Sequence, residues 1–351
     1  MKFSPFRWHL CLVLAPLLTA CTGVEYYSQA IQGHFEVMGK AQPIEQILND
    51  PATDSKLRDR LRLVQEIRAF AVEGLHLPDN GSYHSYADLG RDQVSWVVAA
   101  TPEFSIEPQR WCFPVVGCLN YRGYFIKAAA EAEAAKLRKQ GLDVDVAGST
   151  AYSTLGWFDD PLLNTLISGS DARLAEVIFH ELAHQRIYFK GDTGFNEAFA
   201  VALSRHGVIA WFEQRGDRTA IGAYHRQLRH GEEFHLLLLE TREALRQLYA
   251  GKQPPEAMRE GKRRIFSGMR LRYAGLKQSW DGYTGYDAWM AQDLNNAHLS
   301  LVATYQELVP RFIDLIQKCG SDLPRFYRQV EQWRELDAGQ RKERLIGGGC
   351  S

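Results

Sequence analysis

The sequence predicts an α+β fold: a mixed, sheet-containing first part, a helix rich in catalytic residue types in the middle, and a mostly helical second half. Three observations predict it. Short runs rich in β-branched and aromatic residues fall before residue 160. Residues 172–190 have helical spacing with no proline, and they contain His180-Glu181-Leu182-Ala183-His184. From Phe195 onward nearly every stretch has helical spacing, broken around 251–255 and 282–285. With 351 residues, 45% hydrophobic and 24% charged, the chain can bury a large core, and its composition excludes disordered, collagenous and rod-like classes.

Taken in order, residues 22–50 form a helical lead-in, with apolar residues at helical spacing from Tyr26 to Met38. A second helix spans 56–72, charged on one face and apolar on the other. Val94 to Ala100 reads as a strand, and 120–125 as another. The Ala/Glu/Lys-rich segment 127–140 is strongly helical. Alternation then gives a strand at 142–146, and 151–157 is the last strand before Asp159-Asp160-Pro161 breaks the pattern. Ser170 or Asp171 can cap the helix that carries His180 and His184, because a short polar side chain there satisfies free N–H groups. The helices expected beyond it are 195–214, 217–250, 255–278, 297–318 and 322–336.

The first twenty residues differ from the rest. Lys2 and Arg7 precede an apolar run from Leu10 to Leu18, too short to span a bilayer, which ends in Leu18-Thr19-Ala20-Cys21. This order resembles a bacterial lipoprotein signal peptide, which implies cleavage before Cys21 and acylation of that cysteine. Thr22 stands where an inner-membrane retention signal would place Asp, so the expected location is the Gram-negative outer membrane, facing the periplasm. Three parts follow: the signal peptide 1–20, a mixed part 21–190 ending in the helix that carries His180 and His184, and a helical part 191–351. Loss of Lys2 and Arg7 takes the formal charge from −1 to −3, which is no footprint for nucleic acid. The densest basic stretch, Lys262-Arg263-Arg264, suits a solvated helix face.

Beyond Cys11 and Cys21, four cysteines remain in a chain expected in an oxidising compartment. Cys112 and Cys118 flank a loop containing Pro114 and Gly117 and form a local bridge, which leaves Cys319 to pair with Cys350 and staple the C-terminal tail.

Residues four apart lie on one face of a helix, so His180 and His184 can grip one metal ion, with Glu181 beside them as a general base. A catalytic zinc takes three protein ligands and leaves one position open. Glu197, in Asn196-Glu197-Ala198-Phe199-Ala200, is the third, and Gly191 and Gly194 let the connecting loop fold back. The expected cofactor is therefore one Zn²⁺ per chain, and the likeness of the motif to that of zinc metalloproteases implies a peptide substrate.

An H-E-x-x-H motif followed by N-E-x-x-A is similar to the gluzincin metallopeptidases. That resemblance implies His180, His184 and Glu197 as zinc ligands, Glu181 as the base, and a zincin-like fold. The whole mature chain looks like a bacterial lipoprotein family of predicted aminopeptidases. The segments that carry the likeness are Trp111 to Cys118, Tyr152 to Pro161, the zinc motif and Leu294-Asn295-Asn296-Ala297. The chain also departs from the better-known gluzincins. Val201 stands where an aspartate often orients a ligand histidine, so that support must come from elsewhere. No Gly-x-Met-Glu-Asn motif is present to hold a substrate amine.

The oxyanion of the tetrahedral intermediate needs a hydrogen-bond donor, for which Tyr305 and His298 are the candidates; otherwise they are a core tyrosine and a satisfied histidine. Asp159 and Asp160 are the candidates for a substrate-amine carboxylate, against a plain turn or cap. One competing reading is a non-catalytic envelope lipoprotein acting as a binding or assembly factor, which the retained base Glu181 argues against. Another is a di-iron carboxylate protein using Glu181-x-x-His184 and Glu232-x-x-His235, which leaves His180 and Glu197 unexplained.

Overall fold

A computed structural model of the chain describes residues 26–113, 117–154, 158–251, 253–302 and 307–350. The fold is α+β, with 61% helix and 10% strand, small sheets in the N-terminal half and a mostly helical C-terminal half. Cys21, the signal segment and Tyr305 lie outside the described residues.

Helix α1 (residues 26–39) is followed by β1 (Gln42–Pro43), α2 (Ile44–Asn49) and α3 (Ser55–Glu73). The expected single lead-in helix is broken at Pro43, which has no N–H to continue a helix and instead precedes α2. Strands β2 (Ser85–Ala87) and β8 (Leu162–Leu163) join β1 in one small sheet, β2 running antiparallel to β1 and parallel to β8. A second sheet has β3 (Ser95–Pro102) between β6 (Arg122–Tyr124) and β7 (Leu142–Ser149), both antiparallel to it. Helix α4 (Lys127–Lys139) covers that sheet, burying Ala130, Ala134 and Leu137 against Val98, Ala100 and Val144. Strands β4 (Trp111–Phe113) and β5 (Gly117–Leu119) pair so that Cys112 opposes Cys118, and these two cysteines are disulfide-bonded. Cys319 is bonded to Cys350.

No strand forms over 151–154, and 155–157 lie outside the described residues. Strand β7 runs on to Ser149 instead, and beyond it Ser153 and Thr154 turn onto the buried carboxylate of Asp160.

The short helix α5 (Asn164–Ile167) precedes α6 (Asp171–Arg186). The Ser170 side chain accepts the Arg173 N–H and so caps α6. Helix α7 (Thr193–Gln214) packs along α6 and is apolar nearly all round, as a helix at the centre of a core must be. Phe199 lies at its middle, 1% exposed and stacked on Phe326. The main core joins α3, α6 and α7 to α12 (Val309–Lys318), α13 (Leu323–Glu331) and α14 (Ala338–Gly347), so both halves of the sequence share it. Packing is tight at Gly207: a Cβ there would sit 2.6 Å from Leu75 Cδ1 and 2.9 Å from Phe179 Cδ2. Overpacking of about 1–3 kcal/mol exceeds the roughly 1 kcal/mol of helix propensity that alanine gains. Gly207→Ala is therefore expected to lower stability by about 1 kcal/mol, read as a drop in Tm of a few degrees.

Helices α8 (Arg218–Ala250) and α9 (Pro255–Ser279) form a long hairpin with its own core around Phe234, Phe266 and Tyr273. The basic stretch on α9 is paired, Lys262 with Asp143 and Arg263 with Glu260. The segment expected as one helix over 297–318 instead holds α11 (Asn296–Ser300), which follows the short α10 (Asp287–Met290), and then α12. Pro310 stands in the first turn of α12, where its missing N–H costs nothing, and so starts a new helix.

Candidate metal centre

The chemistry of the centre follows from how α6 and α7 meet. After α6 the chain turns through Gly191, whose φ of 83° suits glycine. Asn196 then clamps the turn: its Oδ1 accepts the Phe189 N–H and its Nδ2 donates to the Phe189 carbonyl, both at 2.8 Å. Asp192 caps α7 through the Phe195 N–H and is gripped by Arg341 from α14 at 2.8 Å. These bonds set the rotation of α7 about its axis, and Glu197 one residue on faces the histidines of α6. Asn196 in the N-E-x-x-A frame is thus a positioning residue, a role the motif alone did not reveal.

His180 Nε2 and His184 Nε2 are 3.1 Å apart. Glu197 Oε2 lies 3.3 Å from His180 Nε2, and Glu197 Oε1 lies 3.5 Å from His184 Nε2. Donors held at about 2.0–2.2 Å from a tetrahedral zinc stand roughly 3.3–3.6 Å from one another; the two carboxylate spacings fall in that range and the two imidazoles need to part only slightly, so the three groups can hold one cation. Among the described residues no second group of three such donors comes this close together. Glu232 and His235 of the di-iron reading sit on α8, where Glu232 pairs with Arg205.

Burial strips water from His184 and, with the neighbouring His180, pulls its imidazole down to about 4. A neutral ring keeps its lone pair for a metal at ordinary pH. Burial pushes the Glu197 carboxyl up, but the hydrogen bond from His180 and the pull of the two histidines when they are protonated outweigh that, and the net direction is down. His184 Nδ1 is buried without a hydrogen-bond partner among the described residues. Among the described residues no carboxylate therefore takes the place of the missing aspartate at Val201 for this ring.

Glu181 is half-buried beside the pair, and burial pushes its carboxyl up. The Ser153 hydroxyl shares its one proton between Glu181 and Asp160 Oδ2, the latter at 3.2 Å. A cavity of about 250 Å³ opens next to Glu181 and His180, walled by Ala151, Glu176, Val177, Val201 and Ser204. The segment 79–84 braces this side of α6 from behind. Gln185 of α6 accepts from Asn80 and donates to Ser82, and the buried Tyr83, in the left-handed region at φ 64°, donates its N–H to the Asp160 carbonyl.

The remaining candidates are not among the three clustered donors. Asp160 is fully buried, and its carboxylate accepts from Ser153, from the Thr154 N–H at 2.9 Å and from the Thr154 hydroxyl at 2.8 Å. Asp159 is exposed and leans over Gly81. His298 closes the capping box of α11 with Asn295 and lies 3.4 Å from Asp145, away from the zinc-type cluster. Sequence reading passed over Tyr121, a half-exposed phenol pushed up by burial and by the charge of Glu197 close by. It also passed over Ser153. Neither residue carries a motif, and both reach the centre only through long-range folding.

No curated protein and no solved structure matches the chain. Residues 25–345 match the model of a family described as "Putative aminopeptidase", a span that includes every described element of the centre. The chain belongs to that family.

Proposed function

We propose that the chain is a zinc-dependent peptidase acting as an aminopeptidase at the bacterial envelope. The observation that carries the reading is the cluster of two imidazole nitrogens and one carboxylate, spaced as a tetrahedral cation requires, with a half-buried glutamate beside it. In this reading His180, His184 and Glu197 hold the ion. Bound zinc supplies a Lewis acid for the scissile carbonyl and lowers the pKa of a water toward about 7.

Glu181 takes the proton from the attacking water and delivers it to the leaving nitrogen. Its buried setting, which favours the protonated form, suits a group that must hold that proton between the two transfers. Ser153 fixes the carboxylate while it does so. Ser153→Ala is expected to lower kcat about 2–10-fold with KM little changed, the worth of one hydrogen bond, and Ser153→Thr to restore most of it. The His298 ring is already engaged in the cap of α11, which leaves Tyr121, whose phenol feels the charge of Glu197, as the alternative oxyanion donor. Of the two aspartates, Asp159 is the freer to meet a substrate amine.

The same reading anchors the mature chain to the outer membrane through an acylated Cys21, facing the periplasm. Among the described residues no helix is long and apolar enough to cross a membrane. Hydrolysis of aminoacyl and free-amine peptide substrates, set against N-acetylated and internally quenched ones, tests the function. Cleavage confined to free-amine substrates supports the aminopeptidase. Equal cleavage of both sets turns it into an endopeptidase, and no cleavage of any would leave a binding protein.

A further inference from the structure

The exposed face of α1 is apolar and carries no charge until Glu36. Tyr27, Ile31 and Phe35 stand four residues apart on one side of the helix, exposed to 42%, 57% and 67%. The other exposed residues between them are Ser28 and Gln32. The opposite face is anchored. Tyr26 stacks on Phe113, Gln29 holds the Phe125 N–H and Gly123 carbonyl, and Val37 is fully buried. Gly33 lets the Phe125 ring lie directly on the helix. The stripe is continued by Phe158, 53% exposed, whose ring packs 4.6 Å from that of His34. The charged end of α1 is neutralised, Glu36 pairing with Lys40 at 3.3 Å and with Arg91 at 2.7 Å. Leu271 on α9, although 76% exposed, stands between Arg270 and Arg272 and forms no such stripe.

We propose that this face of α1 lies in the interface of the lipid bilayer. The proposal rests on the lipid-anchor reading of Cys21. Cys21 precedes Tyr27 by six residues, a reach of at most about 20 Å, so an anchored chain holds the stripe at the membrane surface. An uncharged row of Tyr, Ile and Phe held this close to the bilayer adds an interfacial contact of its own to the lipid on Cys21. The other side of α1 packs on Tyr152, whose hydroxyl lies 3.0 Å from His34 Nδ1, one residue before the serine that touches Glu181. Docking of α1 therefore fixes how the zinc-type cleft is held relative to the bilayer.

Cys21 is the one cysteine of the mature chain outside the two disulfides. The purified chain from residue 21 can therefore be coupled through Cys21 to maleimide-lipid vesicles of phosphatidylethanolamine and phosphatidylglycerol, whether or not cells acylate it. Hydroxyl-radical footprinting then compares coupled and free protein. Tyr27, Ile31 and Phe35 are expected to oxidise several-fold more slowly on vesicles, with Leu271 unchanged, and Ile31→Gln with Phe35→Gln is expected to remove the protection of Tyr27. Equal oxidation on and off vesicles overturns the proposal. So does protection that appears without vesicles as protein concentration rises, which would make a second copy the occupant. Failure of the anchor reading shows separately, as the absence of acyl mass on Cys21 in protein taken from cells.

Discussion

Replacing Glu181 by Gln is expected to reduce kcat/KM by about 10²–10⁴-fold, the usual worth of a positioned proton carrier, while leaving bound zinc in place. Glutamine keeps the shape and the hydrogen bond to Ser153 but cannot accept a proton. Glu181 is not one of the three clustered donors, so the metal ligands are unchanged. Loss of activity together with loss of zinc would mean that Glu181 holds the metal or the fold rather than moving a proton. Full activity would remove it from the mechanism.

Replacing Glu197 by Ala is expected to act in the opposite order, on the metal first. Glu197 is the donor that α7 brings to α6, within 3.3–3.5 Å of both histidines. Losing a mere supporting partner of a ligand costs 10–100-fold in metal affinity, so removing a ligand is expected to weaken zinc by more than about 100-fold. Activity should fall below detection at one equivalent of zinc. A stability readout separates this from misfolding. Zinc at a hundred times its Kd stabilises a folded chain by about 2.7 kcal/mol. Chelation should therefore lower the Tm of the wild type and leave that of Glu197→Ala unmoved. An equal chelator response in both would place the ion elsewhere.

Much of this centre was legible because its signals are local. Ser170 caps α6, His180 and His184 stand one turn apart, and Glu197 follows in a helix-starting frame. The long helices α8 and α9 were legible for the same reason, since their apolar spacing repeats over many turns. What was not legible depends on distant partners. Strands β1, β2 and β8 have two or three residues each and exist through pairings such as Tyr86 with Leu162. Asp160 sits in an Asp-Pro turn, but its burial beneath Ser153 and Thr154 is set by folding across the site. The break before α12 was readable from Pro310, as was α14 from the capping box of Asp337 and Gln340. There, helical spacing outweighed the punctuation.

The central claim is that His180, His184 and Glu197 form a zinc site served by Glu181. Elemental analysis of the purified mature wild type and of Glu181→Gln, each assayed on the same free-amine peptide, tests it most directly. The account predicts zinc near one equivalent in both proteins and hydrolysis by the wild type alone. Zinc in neither protein, or iron in its place, would contradict it.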